Sequence, residues 1–234
     1  MPRSARPARH PAAPKVVAGR AATARARPGA REQGAQATRD GILRAATRVF
    51  ARHGYEGGSL EKISSAANSH DRMVYYYFGS KEGLFIEVLE GIYRRMNEAE
   101  SRLELDVATP VEALQTVVAF VLAYYRKHPE FVTLLNTENR NKGRHIAKSA
   151  RARDYSSPAI ALIGQILDSG VAQGRFRADL APRDVYLLIA SMGYFYVSNR
   201  HTLSAFLGEK LETPEALAHW AAFATDTVLR TVAA

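Results

Sequence analysis

The chain has 234 residues, 47% of them hydrophobic, and a formal net charge of +9. It contains no cysteine, which excludes a disulfide framework, a thiol redox switch, a thiolate zinc site and a cysteine nucleophile. No apolar run approaches the ~20 residues that a bilayer-spanning helix needs, and the chain's start lacks a hydrophobic signal-peptide core, so a reducing cytoplasm is the expected location.

Residues 1–37 carry seven arginines and Lys15 against a single acid, Glu32. Rich in Ala, Pro and Arg and poor in large apolar side chains, this stretch cannot bury enough surface to offset ordering its backbone and reads as a disordered basic tail. It could follow phosphates or enter a minor groove as a basic arm. It could equally be a solubilising extension, an over-read start, or a transit-type segment.

Strong helix formers then dominate, and an all-α protein of about nine helices is predicted, a small head followed by a larger helical body. The first helix, from about Thr38 to His53, turns Ile42, Ala45, Ala46, Val49 and Phe50 inward, with Gly54 placed to close it in a left-handed conformation. A second, short helix follows Ser59 as N-cap, with Leu60, Ile63 and Ala67 on one face and Glu61 near the positive N-terminus.

Asn68 tolerates the left-handed conformation of a tight turn, Ser69 can cap a third helix, and Val74 and Phe78 anchor that helix at i, i+4. The arrangement reads as helix-turn-helix. Its first turn presents Ser69, His70, Asp71, Arg72 and Met73, where such motifs meet base edges in the major groove of double-stranded DNA. Tyr75, Tyr76, Tyr77 and Lys81 suit phosphates, as do Thr38 or Arg39 at the head's start and Ser59 and Lys62 at the second helix. An aromatic triplet alone would read as a packed core face; its neighbours Gly54, Asn68 and Lys81 point instead to a contact edge.

Thr38 to Leu89 resembles the DNA-binding domain of TetR-family transcriptional regulators. The matching pieces are Ile42 through Phe50 with Gly54-Tyr55, Ile63, Ala67, Tyr75-Tyr76-Tyr77-Phe78, Ser80-Lys81-Glu82 and Leu84. Asn68-Ser69-His70 and Arg72-Met73 depart from the family's usual Gly-Val-Ser and Gly-Thr, which implies an unusual operator. The resemblance divides the chain into a 38–84 helix-turn-helix domain and an 85–234 domain for effector binding and dimerisation.

Past Ser80 a long helix places Leu84, Val88, Leu89, Ile92, Tyr93 and Met96 inward and continues towards Leu105. Thr109-Pro110-Val111-Glu112 reads as a capping box with Pro at the first helical position. Further helices are predicted at about 129–139, 142–173, 182–200 and 214–232.

The body shows no His-Glu-x-x-His pair, no phosphate-cradling glycine loop and no nucleophile elbow, so no enzyme, metal or cofactor is expected. It does carry polar residues amid apolar helices: Tyr124, Asn136, Glu138, Asn139, His145, Tyr194 and Asn199 are the candidate effector contacts. Each could equally be a satisfied inter-helix hydrogen bond.

His128–Ile146 and Gly193–Leu203 resemble a TetR subgroup that regulates pyrimidine and aromatic-heterocycle catabolism. That likeness implies a small-molecule effector such as a small planar heterocycle or an aromatic acid. The last two helices are apolar on more than one face, which suits a homodimer seam. The expected function is a ligand-responsive repressor on a near-palindromic operator, found at the bacterial nucleoid when bound to DNA. The alternative is an architectural DNA-binding protein whose body only dimerises.

Overall fold

The computed structural model describes residues 28–155 and 157–234, within which residues 37–234 form one compact unit. Among the described residues there are nine α-helices: α1 Pro28–Gly57, α2 Leu60–Ala66, α3 Asp71–Phe78, α4 Lys81–Glu100, α5 Pro110–Lys127, α6 Pro129–Arg140, α7 Ser157–Ala172, α8 Pro182–Leu207 and α9 Pro214–Val232. Most of the stretch read as a tail lies outside the described residues, but α1 begins at Pro28, ahead of the expected start at Thr38.

The head forms as its capping chemistry dictates. Ser59 Oγ accepts from the Lys62 N–H at 3.3 Å, and Ser80 Oγ from the Gly83 N–H at 2.9 Å, each satisfying a donor that a helix start leaves unpaired. Asn68 sits at φ 49, the left-handed turn its side chain tolerates. Gly54 has the positive φ expected of it, 69, but with an extended ψ of 179, so the chain kinks and a further helical turn follows to Gly57.

Two expected caps are corrected. The N-cap of α3 is His70, without a side-chain cap bond, while Ser69 donates its N–H to Ser64 O at 2.9 Å. Thr109 occupies the N-cap of α5, but its hydroxyl donates to Asp106 O at 3.1 Å, so the capping box does not form.

In the body, α5 packs against α6, α7, α8 and α9. Leu114, Val117 and Val118 on α5, Ile166 on α7 and Ile189 on α8 are buried, each contributing roughly 1.5–3 kcal/mol relative to an exposed side chain. Helices α5 and α8 approach closely where Gly193 lies; a Cβ there would come within 2.9 Å of the Tyr125 ring.

The predicted 142–173 helix is broken. Lys142 at φ 59 and Gly143 at φ 71 end α6 in left-handed conformations, and the Gly143 N–H closes back on Glu138 O at 3.0 Å. Two short 3₁₀ turns, Ile146–Lys148 and Ala152–Tyr155, then pack against α4 before α7 restarts. Conversely, α8 runs two turns beyond the expected 200, until left-handed Gly208 donates to Ser204 O.

Candidate nucleic-acid interface

Helix α3 is held from behind and exposed in front. Val74 and Phe78 are buried in the head's core with Ile42, Phe50 and Ile63. Ser64, itself buried on α2, donates its hydroxyl to the Asp71 carboxylate in the first turn of α3, which fixes the angle between the two helices. That side chain therefore serves the motif internally, alongside any part in reading bases.

The opposite edge carries His70, Arg72, Tyr75 and Tyr76, all exposed, with Met73 and Tyr77 half-buried beside them. Tyr75 is 56% and Tyr76 76% accessible. Large aromatic surfaces left in water on one edge of a short helix, beside a guanidinium, favour a partner that takes both stacking and charge. Together these side chains can address base edges and flanking phosphates.

The other basic candidates are engaged within the head. Lys62 Nζ donates to Gly57 O at 3.0 Å, and Lys81 Nζ lies 4.6 Å over the Tyr55 ring while donating to Glu56 O at 3.3 Å. Arg39 pairs with Glu87 on α4 and covers the Phe78 ring at 4.9 Å. These tethers orient the three residues at the rim of the motif. Thr38 and Ser59 are half-buried nearby in sequence and at the α2 start.

The body candidates separate into groups. Asn136, Asn139 and Tyr194 come together between α6 and α8: the Tyr194 hydroxyl donates to Asn136 Oδ1, and Asn139 Nδ2 approaches Tyr194 Oη at 3.4 Å. Ser198, not singled out from sequence, joins them with Asn136 Nδ2 donating to its hydroxyl at 3.0 Å. Tyr124 lies apart, its ring 4.2 Å from that of His128 and tilted against it, its phenol pKa pushed up by burial. Asn199 caps back onto Phe195 O along α8.

Glu138 and His145 form a separate buried pair at the joint between body and head. The His145 ring packs 4.3 Å from Tyr55, at the end of α1, and 5.0 Å from Phe85 on α4. Around it Arg144 reaches Glu56 at 3.2 Å, Lys148 reaches Glu82 at 2.6 Å and Ser149 reaches Glu90 at 2.6 Å. Sequence spacing gives no hint of these long-range partners.

The described residues hold no group of His, Cys, Asp and Glu able to bind a metal, and no helix among them is long and apolar enough to cross a membrane.

Comparison with known proteins agrees with the geometry of both parts. Residues 42–88 match the bacterial regulatory proteins of the tetR family, and residues 110–228 match the tetracyclin repressor-like C-terminal domain. The HTH-type transcriptional repressor NicS of Pseudomonas putida is 52% identical over 86% of this chain and 95% of its own length. The HTH-type transcriptional repressor SCO4008 of Streptomyces coelicolor is 28% identical over 69% of this chain and 80% of its own. RutR of Escherichia coli, an HTH-type transcriptional regulator, is 31% identical over 44% of this chain and 48% of its own.

Among solved structures, a TetR family transcription regulator from Marinobacter aquaeolei superposes with a TM-score of 0.63 at 19% identity, covering 86% of this chain and 98% of that one. At that identity the likeness speaks for the fold. The head's motif, the body's helical bundle and the full-length similarity to NicS together establish that the chain belongs to the TetR family of bacterial regulatory proteins and is a DNA-binding transcriptional regulator rather than an enzyme.

Proposed function

We propose that the protein is a homodimeric, ligand-responsive repressor that a small molecule releases from a near-palindromic operator. The observation that carries this reading is the front edge of α3, where His70, Arg72, Tyr75 and Tyr76 stand exposed on a helix whose back is locked by Val74, Phe78 and the Ser64–Asp71 bond. Arg72 in the first turns suits a guanine edge, and the tyrosine hydroxyls and Lys81 suit phosphates. Two heads related by a two-fold axis would read successive major grooves, hence the near-palindrome.

Leu187, Phe195 and Phe223 are exposed on α8 and α9 and form the proposed seam between subunits. The similarity to repressors NicS and SCO4008 favours repression. Such a protein acts in the cytoplasm, at the nucleoid when bound to DNA. The effector alters operator affinity only through its different affinities for the DNA-fitting and non-fitting states.

The test is binding of the full chain to DNA from upstream of its own gene across a salt series. Competitor-resistant binding to a near-palindrome, weakened by one small molecule, is the expected result. Uniform, sequence-indifferent binding that no small molecule changes would leave the architectural reading in its place.

A further inference from the structure

The segment that joins α6 to α7 gathers positive charge on the body. Residues 140–151 hold Arg140, Lys142, Arg144, Lys148 and Arg151 and no acid, while the chain outside this stretch and 1–37 is net acidic. All of these cationic side chains are exposed. Charge of one sign concentrated in one loop draws a polyanion to that place.

The loop's position directs that charge at the head. Its backbone is held by the Glu138 carboxylate, which accepts from the His145 and Ile146 N–H groups at 2.8 and 3.0 Å, and by Ser149, whose hydroxyl donates to Glu90 on α4 at 2.6 Å. Lys148 Nζ then lies 2.6 Å from Glu82, the residue after Lys81. The Arg144 guanidinium stands 5.8 Å from the Tyr55 ring that Lys81 covers at 4.6 Å. Cations of the body and Lys81 of the head therefore meet at the start of α4, whose helix dipole also favours an anion.

Arg144 and Lys148 pair with Glu56 and Glu82 across exposed surface, where an ion pair is weak and yields to a stronger anion. Among the described residues no acid pairs with Arg140, Lys142 or Arg151. Lys142 sits at φ 59, a left-handed turn that Asn or Gly fills more readily, so turn chemistry alone does not account for a lysine there.

We infer that this segment is a second phosphate-binding element, in which Lys142, Arg144 and Lys148 take backbone phosphates of the DNA next to the one that suits Lys81. The body then touches DNA as well as the head. Phosphate contacts carry no base information, so the loop adds affinity and leaves sequence preference to α3. This rests on the reading of Lys81 as a phosphate contact.

The experiment follows binding of the full chain by fluorescence anisotropy across a salt series, on a duplex from upstream of its own gene and on a mixed-sequence duplex of equal length. Lys142→Asn suits the left-handed turn and removes one charge; it should make the slope of log affinity against log salt shallower by about one on both duplexes. Adding Arg144→Gln and Lys148→Gln should bring the change to about two to three, weakening both duplexes alike and leaving their affinity ratio as it was. Glu56→Gln with Glu82→Gln breaks the same two ion pairs but keeps the cations, so binding should hold or tighten.

An unchanged salt slope in the triple variant overturns the element. So does a loss confined to the upstream duplex, or equal weakening by the paired glutamate variant, since either result assigns the loop to holding the head in place. A wild type that prefers neither duplex counts against the operator reading, while the slopes on the mixed-sequence duplex still decide the loop.

Discussion

The carboxylate of Glu138 answers three donors of the segment that contains His145: ring Nδ1 at 2.7 Å, the His145 N–H at 2.8 Å and the Ile146 N–H at 3.0 Å. Arg144 Nε approaches the other ring nitrogen at 3.4 Å, which suits the neutral Nδ1–H tautomer. Seven residues apart and both buried, the pair folds the end of α6 back on itself and presents the imidazole to Tyr55 of the head and Phe85 of α4.

Glu138→Ala strands those donors away from water. We expect a loss on the order of 3 kcal/mol in denaturant unfolding, with operator affinity reduced because the surface under Tyr55 loosens. His145→Phe keeps the ring packing but leaves the carboxylate short of one donor, and should cost less. Equal stability of Glu138→Ala and wild type would remove the joint from the account.

At the front edge the expectation is reversed, with binding lost and stability kept. Arg72→Ala and Tyr76→Phe alter exposed groups, so unfolding should move by no more than about 0.5 kcal/mol. Arg72→Ala should weaken specific binding by about 1–3 kcal/mol and relax base preference, as fluorescence anisotropy on operator and scrambled duplexes would show.

Ser64→Ala tests how α3 is aimed. Removing the hydroxyl frees Asp71 and should cost about 1 kcal/mol of stability. Operator binding should fall beside a smaller effect on non-specific DNA, because the phosphate-contacting groups are untouched while the helix angle changes. Undiminished operator binding would show that α2 and α3 hold their angle without this bond.

The helix-turn-helix could be read from sequence because each of its determinants is local. Ser59 and Ser80 cap the helices they precede, Asn68 supplies its own left-handed turn, and Val74 and Phe78 share a face by helical period. The 141–155 segment could not, since Lys142 takes a positive φ that no lysine signals, and Arg144, Lys148 and Ser149 are held by partners on α1 and α4.

Nor could the fate of the polar string be read. Periodicity places Asn136 and Glu138 on α6, but whether each meets α8 or the following loop depends on packing between distant segments. A cleft of about 270 Å³ between α5, α8 and α9 was hidden for a related reason. Ala119, Ala123, Ala218 and Ala221 look like ordinary helix formers until three helices bring them together.

Glu100 closes α4 in a buried position with Tyr186 close by, and burial pushes its carboxyl pKa up from the ordinary value. A carboxyl raised in the folded state binds its proton more tightly there than in the unfolded chain. Its contribution therefore favours folding most below the unfolded value and is lost as pH rises through the folded one. Glu100→Gln should then stabilise the protein near neutral pH by on the order of 1 kcal/mol, with the advantage shrinking towards pH 4. Paired thermal melts of wild type and variant across that range decide it, and an advantage independent of pH would assign the effect to packing instead.

Phe195 on α8 and Phe223 on α9 are 55% and 52% accessible, and Trp220 of α9 stacks on Phe223 at 5.5 Å and on Tyr196 of α8 at 4.9 Å, so an aromatic ridge links the two helices. Burying such a ridge against a second copy removes large apolar rings from water on both sides at once, which is what a stable two-fold interface requires. A charge at its centre meets its own symmetry mate, so Phe195→Glu with Phe223→Glu should dissociate the dimer while leaving helix content unchanged. Sedimentation should then report a monomer near 25.7 kDa. Binding to a full operator should collapse towards that of a single half-site, because one head no longer holds the other near its groove. A double variant that still sediments as a dimer would place the subunit seam on another face.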